Sequence, residues 1–445
     1  MPNDPKRTPE DKDTPTHIPG MPPKAIEIRL AIFFDGTGNS STNTATYKKL
    51  GETYFTGSYH SDYTNIWRLY QHMKGYKKNA KGAHHWHKMY LPGVGTTSYK
   101  FDDPSDYATG MGDTGIPAKA NEAIIRSLAH ITNIAKKGDA VRIYFDVFGF
   151  SRGAATARHF IHRVLFQGDD VIAKVLHRDH KILAERVEVI FAGLFDTVSS
   201  YGILDFSNDT GQLHLDAVRH VKGLAYHLCA SDEYRENFSL TNIKSAIDAG
   251  VGVELYLPGA HADVGGGYPD SMAETVTTMS IENNNQAVKL DKDWLVDKGY
   301  CIKGEVKKYT YGAPPLAPVI IYKNVMSRIK VLNDYTYIPM NLMANKAELH
   351  DLVFDRTTMK RRYAITGRTL SVVKRKIDAY AKKVDADVND NAMVWTSKGG
   401  AGAGALPRLF RRLYCHYSAN EEKTGMSTNW RNEPTADRRR NIYDG

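Results

Sequence analysis

The sequence predicts an α/β protein built on a mostly parallel sheet, and three observations predict it. Residues 26–34, 141–149, 187–195 and 251–257 are filled by β-branched, aliphatic and aromatic side chains with little polar alternation. That is how strands covered on both faces read. Each run closes on a turn bearing glycine or aspartate, and segments of helical spacing separate the runs, as βα units require. One run enters Gly149-Phe150-Ser151-Arg152-Gly153 and then an alanine-rich helical stretch, the strand–turn–helix context of a nucleophile elbow.

Composition bounds the class. A chain of 445 residues, 42% hydrophobic and 24% charged, has the make-up of a globular protein with a large core. No run approaches the roughly 18 apolar residues of a spanning helix. The opening Met1-Pro2-Asn3-Asp4-Pro5 lacks the apolar segment of a secretory signal, so synthesis in the cytoplasm without a signal peptide is expected. Cys229, Cys301 and Cys415 lie far apart with no CxxC pair, which reads as free thiols rather than a disulfide scaffold or zinc finger. The net charge of +9 is uneven: from Arg356 onward there are 19 Lys/Arg against 9 Asp/Glu. A solvated face, an anionic membrane surface or a partner would each suit that charge, and no nucleic-acid motif accompanies it.

In chain order, residues 1–24 are proline-rich and polar and are expected to form a disordered arm. Residues 25–274 read as the catalytic α/β domain, and 275–445 as a basic, partly helical region serving as lid, membrane-targeting or partner-binding element. The first buried strand, Ile26–Phe34, ends in Asp35-Gly36-Thr37-Gly38. Asp35-Gly36-Thr37 invites comparison with the D-x-D-G-T motif of haloacid-dehalogenase phosphatases, but Phe33 stands where their nucleophilic aspartate must be, so that chemistry falls. The N–H groups near Gly36 and Thr37 are instead candidate oxyanion donors. Residues 62–73 have the apolar face of a short helix. His85 and His87 share one face of a strand, in what reads as an exposed cluster rather than a metal site. Residues 89–91 lead into the turn Pro92-Gly93-Val94-Gly95-Thr96. Ile124, Leu128, Ile131 and Ile134 have helical spacing, and Lys136-Lys137-Gly138 supplies cations and a glycine at that helix's end.

At the elbow, the two glycines leave room for a tight turn that lifts Ser151 to the carboxyl edge of the sheet, with the Arg152 N–H facing an oxyanion. A serine hydroxyl needs a base, and the base needs an acceptor that fixes its tautomer. Ser151, Asp196 and His261 each follow a strand, in the chain order of α/β-hydrolases. His159 and His162 on the elbow helix compete as bases, as do His220 and His227 in 215–234, a stretch read as helical. His261 is preferred because it stands on a strand-end loop. Asp263 and Asp205 are alternative acids. A metal reading through Asp35, Asp196, His261 and Asp263 is made unnecessary by the serine, so neither metal nor cofactor is expected. The oxyanion hole is assigned to Arg152 and Gly36.

Phe34-Asp-Gly-Thr-Gly-Asn39, Pro92-Gly-Val-Gly-Thr96, Gly149-Phe-Ser-Arg-Gly-Ala-Ala155, Phe195-Asp-Thr-Val198 and Pro258-Gly-Ala-His-Ala-Asp-Val-Gly-Gly-Gly-Tyr268 stand in an order that resembles the α/β-hydrolase domain of bacterial type VI secretion lipase effectors. The segment from Gly223 to Arg235 is similar to that family's stretch between acid and histidine. The resemblance covers roughly residues 27–270 and maps the family's serine, aspartate and histidine onto Ser151, Asp196 and His261. It implies phospholipase A chemistry on membrane phospholipid, an antibacterial role, delivery by a type VI spike or tube component to a neighbouring cell's periplasm or membrane, and a cognate immunity protein. The alternatives are a soluble carboxylesterase or thioesterase and a non-catalytic hydrolase-like binding module.

Beyond that domain, Leu370, Val373, Ile377, Tyr380 and Val384 form an apolar stripe flanked by Lys374, Arg375, Lys376, Lys382 and Lys383. Such a helix either packs on the core or lies on anionic lipid. The run 399–404 reads as a flexible joint, and 409–417 as a basic amphipathic continuation.

Overall fold

In a computed structural model the described residues are 25–50, 61–98, 100, 102–103, 106, 110–166, 171–199, 210–281, 285–311, 321–386, 405–419 and 439–445. The proline-rich arm, Asp205 and the glycine run 399–404 lie outside them. The first strands are β1 (Ile26–Phe34), β2 (Met73–Tyr76), β3 (His85–Leu91), β4 (Ala140–Phe150), β5 (Leu183–Phe195), β6 (Leu224–Ala230), β7 (Leu240–Thr241) and β8 (Gly252–Leu257). The later ones are β9 (Met272–Ile281), β10 (Val306–Tyr311), β11 (Ile321–Val331), β12 (Leu352–Phe354) and β13 (Ile442–Tyr443).

Six strands form one sheet in the order β3-β1-β4-β5-β6-β8, and every pairing in it is parallel. The alternation of β1 shows why its carboxyl half has no polar face. Ile28, Leu30, Ile32 and Phe34 pack with Ala120 and Ala123 of helix Ile116–Ile134 and with Ala157 and Phe160 of helix Arg152–Leu165. Ala31 and Phe33, pointing the other way, join Ile66, Leu69, Leu342 and Met343. Helices thus cover both faces, the layering of an α/β-hydrolase fold.

The second layer draws on residues far along the chain. Helix Tyr337–Leu349 lies against the sheet, and β12 pairs antiparallel with β2. Helix Arg368–Ala386 buries Leu370, Val373, Ile377 and Val384 in the same apolar cluster, so its stripe faces the core and not lipid. Phe410 and Tyr414 of helix Ala405–Tyr414 join them. Strands β9, β10 and β11 make a separate antiparallel sheet, and β13 pairs parallel with β7.

The helical reading of 215–234 does not hold. Leu215–His220 forms a 3-10 turn, and Leu224–Ala230 is strand β6. Tyr226, His227, Leu228 and Cys229 are all buried. A strand with both faces covered loses its polar alternation, leaving nothing in the periodicity to separate it from a buried helix.

Candidate active site

The parallel register brings the strand ends level, and each ladder continues one residue beyond its strand. The N–H of Asp35 donates to Leu91 O at 3.0 Å, that of Ser151 to Phe195 O at 3.0 Å, and that of Asp196 to Leu228 O at 2.8 Å. Ser151 has φ 57° and ψ −128°, a conformation costing a non-glycine residue about 1–3 kcal/mol and persisting where the surroundings impose it. The surroundings are visible in the glycines. A Cβ on Gly149 would lie 2.4 Å from Gly153 O, and one on Gly153 would lie 2.2 Å from Asp35 O. The elbow helix can therefore press on both β4 and the loop after β1 only with bare backbone at these positions.

Asp196, at φ 44°, follows β5. Its Oδ1 accepts the Ala230 N–H at 2.8 Å. His261 opens a one-turn helix, His261–Gly265, beyond β8, and its N–H donates to Glu233 Oε2 at 3.2 Å. His261 Nδ1 meets Asp196 Oδ2 at 2.5 Å. The imidazole lies between the rings of Phe150, at 4.5 Å, and Phe238, at 5.1 Å. Burial lowers the affinity of His261 for a proton below the ordinary histidine value, although Asp196 pulls the other way. Burial would raise the Asp196 carboxyl, but the Arg440 guanidinium and the His261 bond outweigh it and hold it well below the usual carboxylate range. Asp196 and His261 are thus brought together. Ser151 is tied beside them through its N–H to Phe195 and through its carbonyl, which accepts the Val198 N–H at 3.4 Å. No hydrogen bond joins Ser151 Oγ to His261, a contact that commonly tightens only with substrate bound.

On the other side of Ser151 the loop after β1 is packed without slack: a Cβ on Gly93 would fall 1.7 Å from Gly36 O. The Gly36 N–H is engaged, donating to Asp35 Oδ1 at 2.7 Å. The N–H of Thr37, its neighbour, has no acceptor among the described residues. Arg152 Nε donates to Thr37 Oγ1 at 2.8 Å. Asp35 itself accepts Tyr90 Oη–H at 2.6 Å and Thr64 Oγ1–H at 2.7 Å. Burial raises its carboxyl to about 6.

The competing candidates are employed elsewhere. His159 faces Leu213 O at 2.9 Å, and burial pushes it down to about 4. His227 Nε2 accepts the Thr197 N–H at 3.0 Å, while its Nδ1 lies 2.8 Å from Glu254. His227, Cys229 and Glu254 are close enough together to suit a metal. With both ring nitrogens hydrogen-bonded, however, the imidazole braces the turn that carries Asp196. Asp263 accepts from the Ala260 N–H at 2.8 Å and pairs with His416 at 2.7 Å, so it is not the acceptor for His261. His87 stacks on His130 at 4.6 Å. Sequence reasoning missed Arg440, Glu233 and Phe238. Glu233 lies within the segment 223–235, but nothing in the sequence links Arg440 to a turn more than two hundred residues earlier.

Residues 28–168 and 169–298, more than half of the chain, match the family model described as the catalytic domain of Tle1-like phospholipase effectors of the type VI secretion system. No curated protein matches. The solved structure of the Tle1 effector bound to the VgrG spike from the type VI secretion system is similar over 95% of each chain, with a TM-score of 0.64 at 23% identity, which shows a shared fold. A crystal structure of an uncharacterized protein from Pseudomonas aeruginosa covers 85% of this chain and 56% of its own at 16% identity and a TM-score of 0.33. With the family model spanning the strand ends that carry Ser151, Asp196 and His261, the chain belongs to the Tle1-like phospholipase effectors of the type VI secretion system.

Proposed function

We propose that this effector is a serine esterase of phospholipase A type, with Ser151 as nucleophile, His261 as general base and Asp196 as the acid that orients it. The observation that carries the reading is the 2.5 Å His261–Asp196 bond at strand ends beside a serine held at φ 57°. Ser151 Oγ bonds to the acyl carbon of the ester while its proton passes to His261 Nε2. Collapse breaks the ester C–O bond, and the leaving alcohol takes that proton as lysophospholipid departs. Water, deprotonated by the same imidazole, then attacks the acyl-serine; the bond from the acyl carbon to Ser151 Oγ breaks, the serine oxygen takes the proton back from His261, and the fatty acid leaves. The oxyanion is held by the N–H groups of Arg152 and Thr37. No step calls for a metal or a cofactor.

Ester release from phospholipid vesicles by wild type and Ser151→Ala tests the assignment. Loss of about 10³-fold or more in kcat is expected for the variant. Equal activity in a variant of unchanged fold overturns it.

We further propose delivery through a spike of the VgrG kind, by analogy with the effector of similar fold, and neutralisation by a cognate immunity protein. Co-purification of this chain with such a spike is the expected result, and its failure with a folded spike removes that part. No helix among the described residues is long and apolar enough to cross a membrane. We take 25–274 as the catalytic unit and 275–445 as a region that completes it.

A further inference from the structure

A buried arginine from the far end of the chain sits on the other side of the aspartate from the histidine. Arg440 Nη1 donates to Asp196 Oδ1 at 2.6 Å and its Nη2 to Asp196 Oδ2 at 3.0 Å, a two-pronged pair. Its remaining reach is spent on backbone, with Nε on Phe238 O at 2.6 Å and Nη1 on Ala230 O at 3.1 Å. The arginine is fixed in turn by the strand it precedes. Leu240 N–H donates to Asn441 O at 2.9 Å, Asn242 N–H to Tyr443 O at 2.9 Å, and Ser245 N–H to Gly445 O at 3.0 Å. Asn242 Nδ2 also donates to Asp444 at 2.8 Å.

The placement has a chemical consequence. Asp196 has no exposed surface, and a carboxylate buried without a countercharge is costly enough to take up a proton instead. A neutral imidazole cannot supply that countercharge, whereas a guanidinium can, and its planar fork fixes the plane of the carboxylate as well. Oδ1 takes Arg440 Nη1 and the Ala230 N–H, while Oδ2 takes Arg440 Nη2 and turns its other lone pair to His261. The same positive charge disfavours a second one on the imidazole, which a general base requires. The other charged or titratable groups acting on this pair are Glu233, whose Oε2 accepts the His261 N–H, Arg235, which pairs with Glu233, and the thiol of Cys229.

We infer that Arg440 is a positioning residue of the catalytic dyad, holding Asp196 ionised and oriented for His261, and that the active site is complete only when strand β13 docks on β7. The inference rests on the Ser151–His261–Asp196 reading above. It makes the C-terminal segment part of the catalytic apparatus through its contacts to Asp196, without assigning it the nucleophile, the base or an oxyanion donor.

The experiment uses the full chain with Ser151→Ala, Arg440→Gln and Arg440→Lys, compared by thermal unfolding and by pH profiles of vesicle phospholipid hydrolysis. For folded Arg440→Gln, kcat is expected to drop about 10–100-fold with KM changed less than about twofold. The acid limb of kcat/KM should move up by about one pH unit, because removing a cation favours the imidazolium. Arg440→Lys keeps the charge without the fork. Its acid limb should stay near the wild-type position while kcat falls several-fold. A folded Arg440→Gln with wild-type kcat and acid limb overturns the inference. If Arg440→Gln does not fold, Arg440→Lys decides: wild-type kcat in that variant also overturns it. Full activity of Ser151→Ala would instead sink the serine mechanism itself, so the two failures are distinguishable.

Discussion

Arg152 and Thr37 are joined side chain to side chain, Nε to Oγ1 at 2.8 Å, so the first residue of the elbow helix fastens the loop after β1. The two backbone N–H groups proposed to hold the oxyanion thereby belong to residues bonded to each other. Such a hole works through preorganisation, and an ångström of drift is felt in the rate. Thr37→Val keeps the N–H and removes the hydroxyl. We expect kcat to fall about 3–30-fold with KM nearly unchanged. Steady-state kinetics with an unaltered kcat would mean that the Arg152–Thr37 side-chain bond does not position the oxyanion hole.

The carboxyl of Asp35 imposes a pH dependence on stability. Its folded value of about 6 lies above the ordinary aspartate value of about 3.9. A raised value means that the folded state binds the proton more tightly. The stabilisation is therefore full below pH ~4 and is lost as pH rises towards about 6, amounting to roughly 2–3 kcal/mol. Asp35→Asn removes the titrating group, so the wild-type-minus-variant stability difference should decline across that window. Urea unfolding at pH 4, 5 and 6 measures it. A difference independent of pH refutes the account.

Those features differ sharply in how far the sequence discloses them. The parallel strands and the elbow were legible because a strand covered on both faces is apolar throughout, and because Gly149 and Gly153 are required by contacts that no side chain permits. The strand-end places of Asp196 and His261 were legible from the apolar runs that precede them. The engagement of the Gly36 N–H by Asp35 was not, because only the folded loop reveals that it turns inward. Strand β6 was mistaken for helix for the reason given by its burial. Arg440 was invisible because ion pairing between distant segments leaves no periodic trace in either of them.

The imidazole of His261 is expected to set the acid limb of the activity profile. Burial lowers its proton affinity more than Asp196 raises it, and a general base works only when neutral. The wild-type enzyme should keep its kcat/KM below pH ~6.5, the ordinary histidine value, and lose it only at lower pH. Initial rates on dispersed substrate from pH 4.5 to 8 give the limb directly. A limb centred at pH ~7 or above would mean that the attraction of Asp196 outweighs burial.

The centre of the sheet contains a second buried pair, and its worth can be measured independently of catalysis. Arg29 Nε and Nη2 donate to Asp146 Oδ2 and Oδ1 at 2.8 and 3.0 Å, from neighbouring strands β1 and β4. Tyr76 Oη–H donates to the same carboxylate at 2.7 Å, and Arg29 Nη2 to His350 O at 2.9 Å. The pair therefore ties the sheet to β2 and to the end of helix Tyr337–Leu349, two segments far apart in the chain. Arg29→Met fills the volume but strands a carboxylate with no exposed surface, which should cost about 3–5 kcal/mol. Arg29→Met combined with Asp146→Leu removes both charges and leaves only the Tyr76 hydroxyl and the His350 carbonyl short of a partner. It should be the more stable of the two variants, by about 1–3 kcal/mol. Urea unfolding of the three proteins decides it. A double variant no more stable than Arg29→Met would mean that the guanidinium contributes by packing over the Tyr76 ring, 4.3 Å away, rather than by neutralising Asp146.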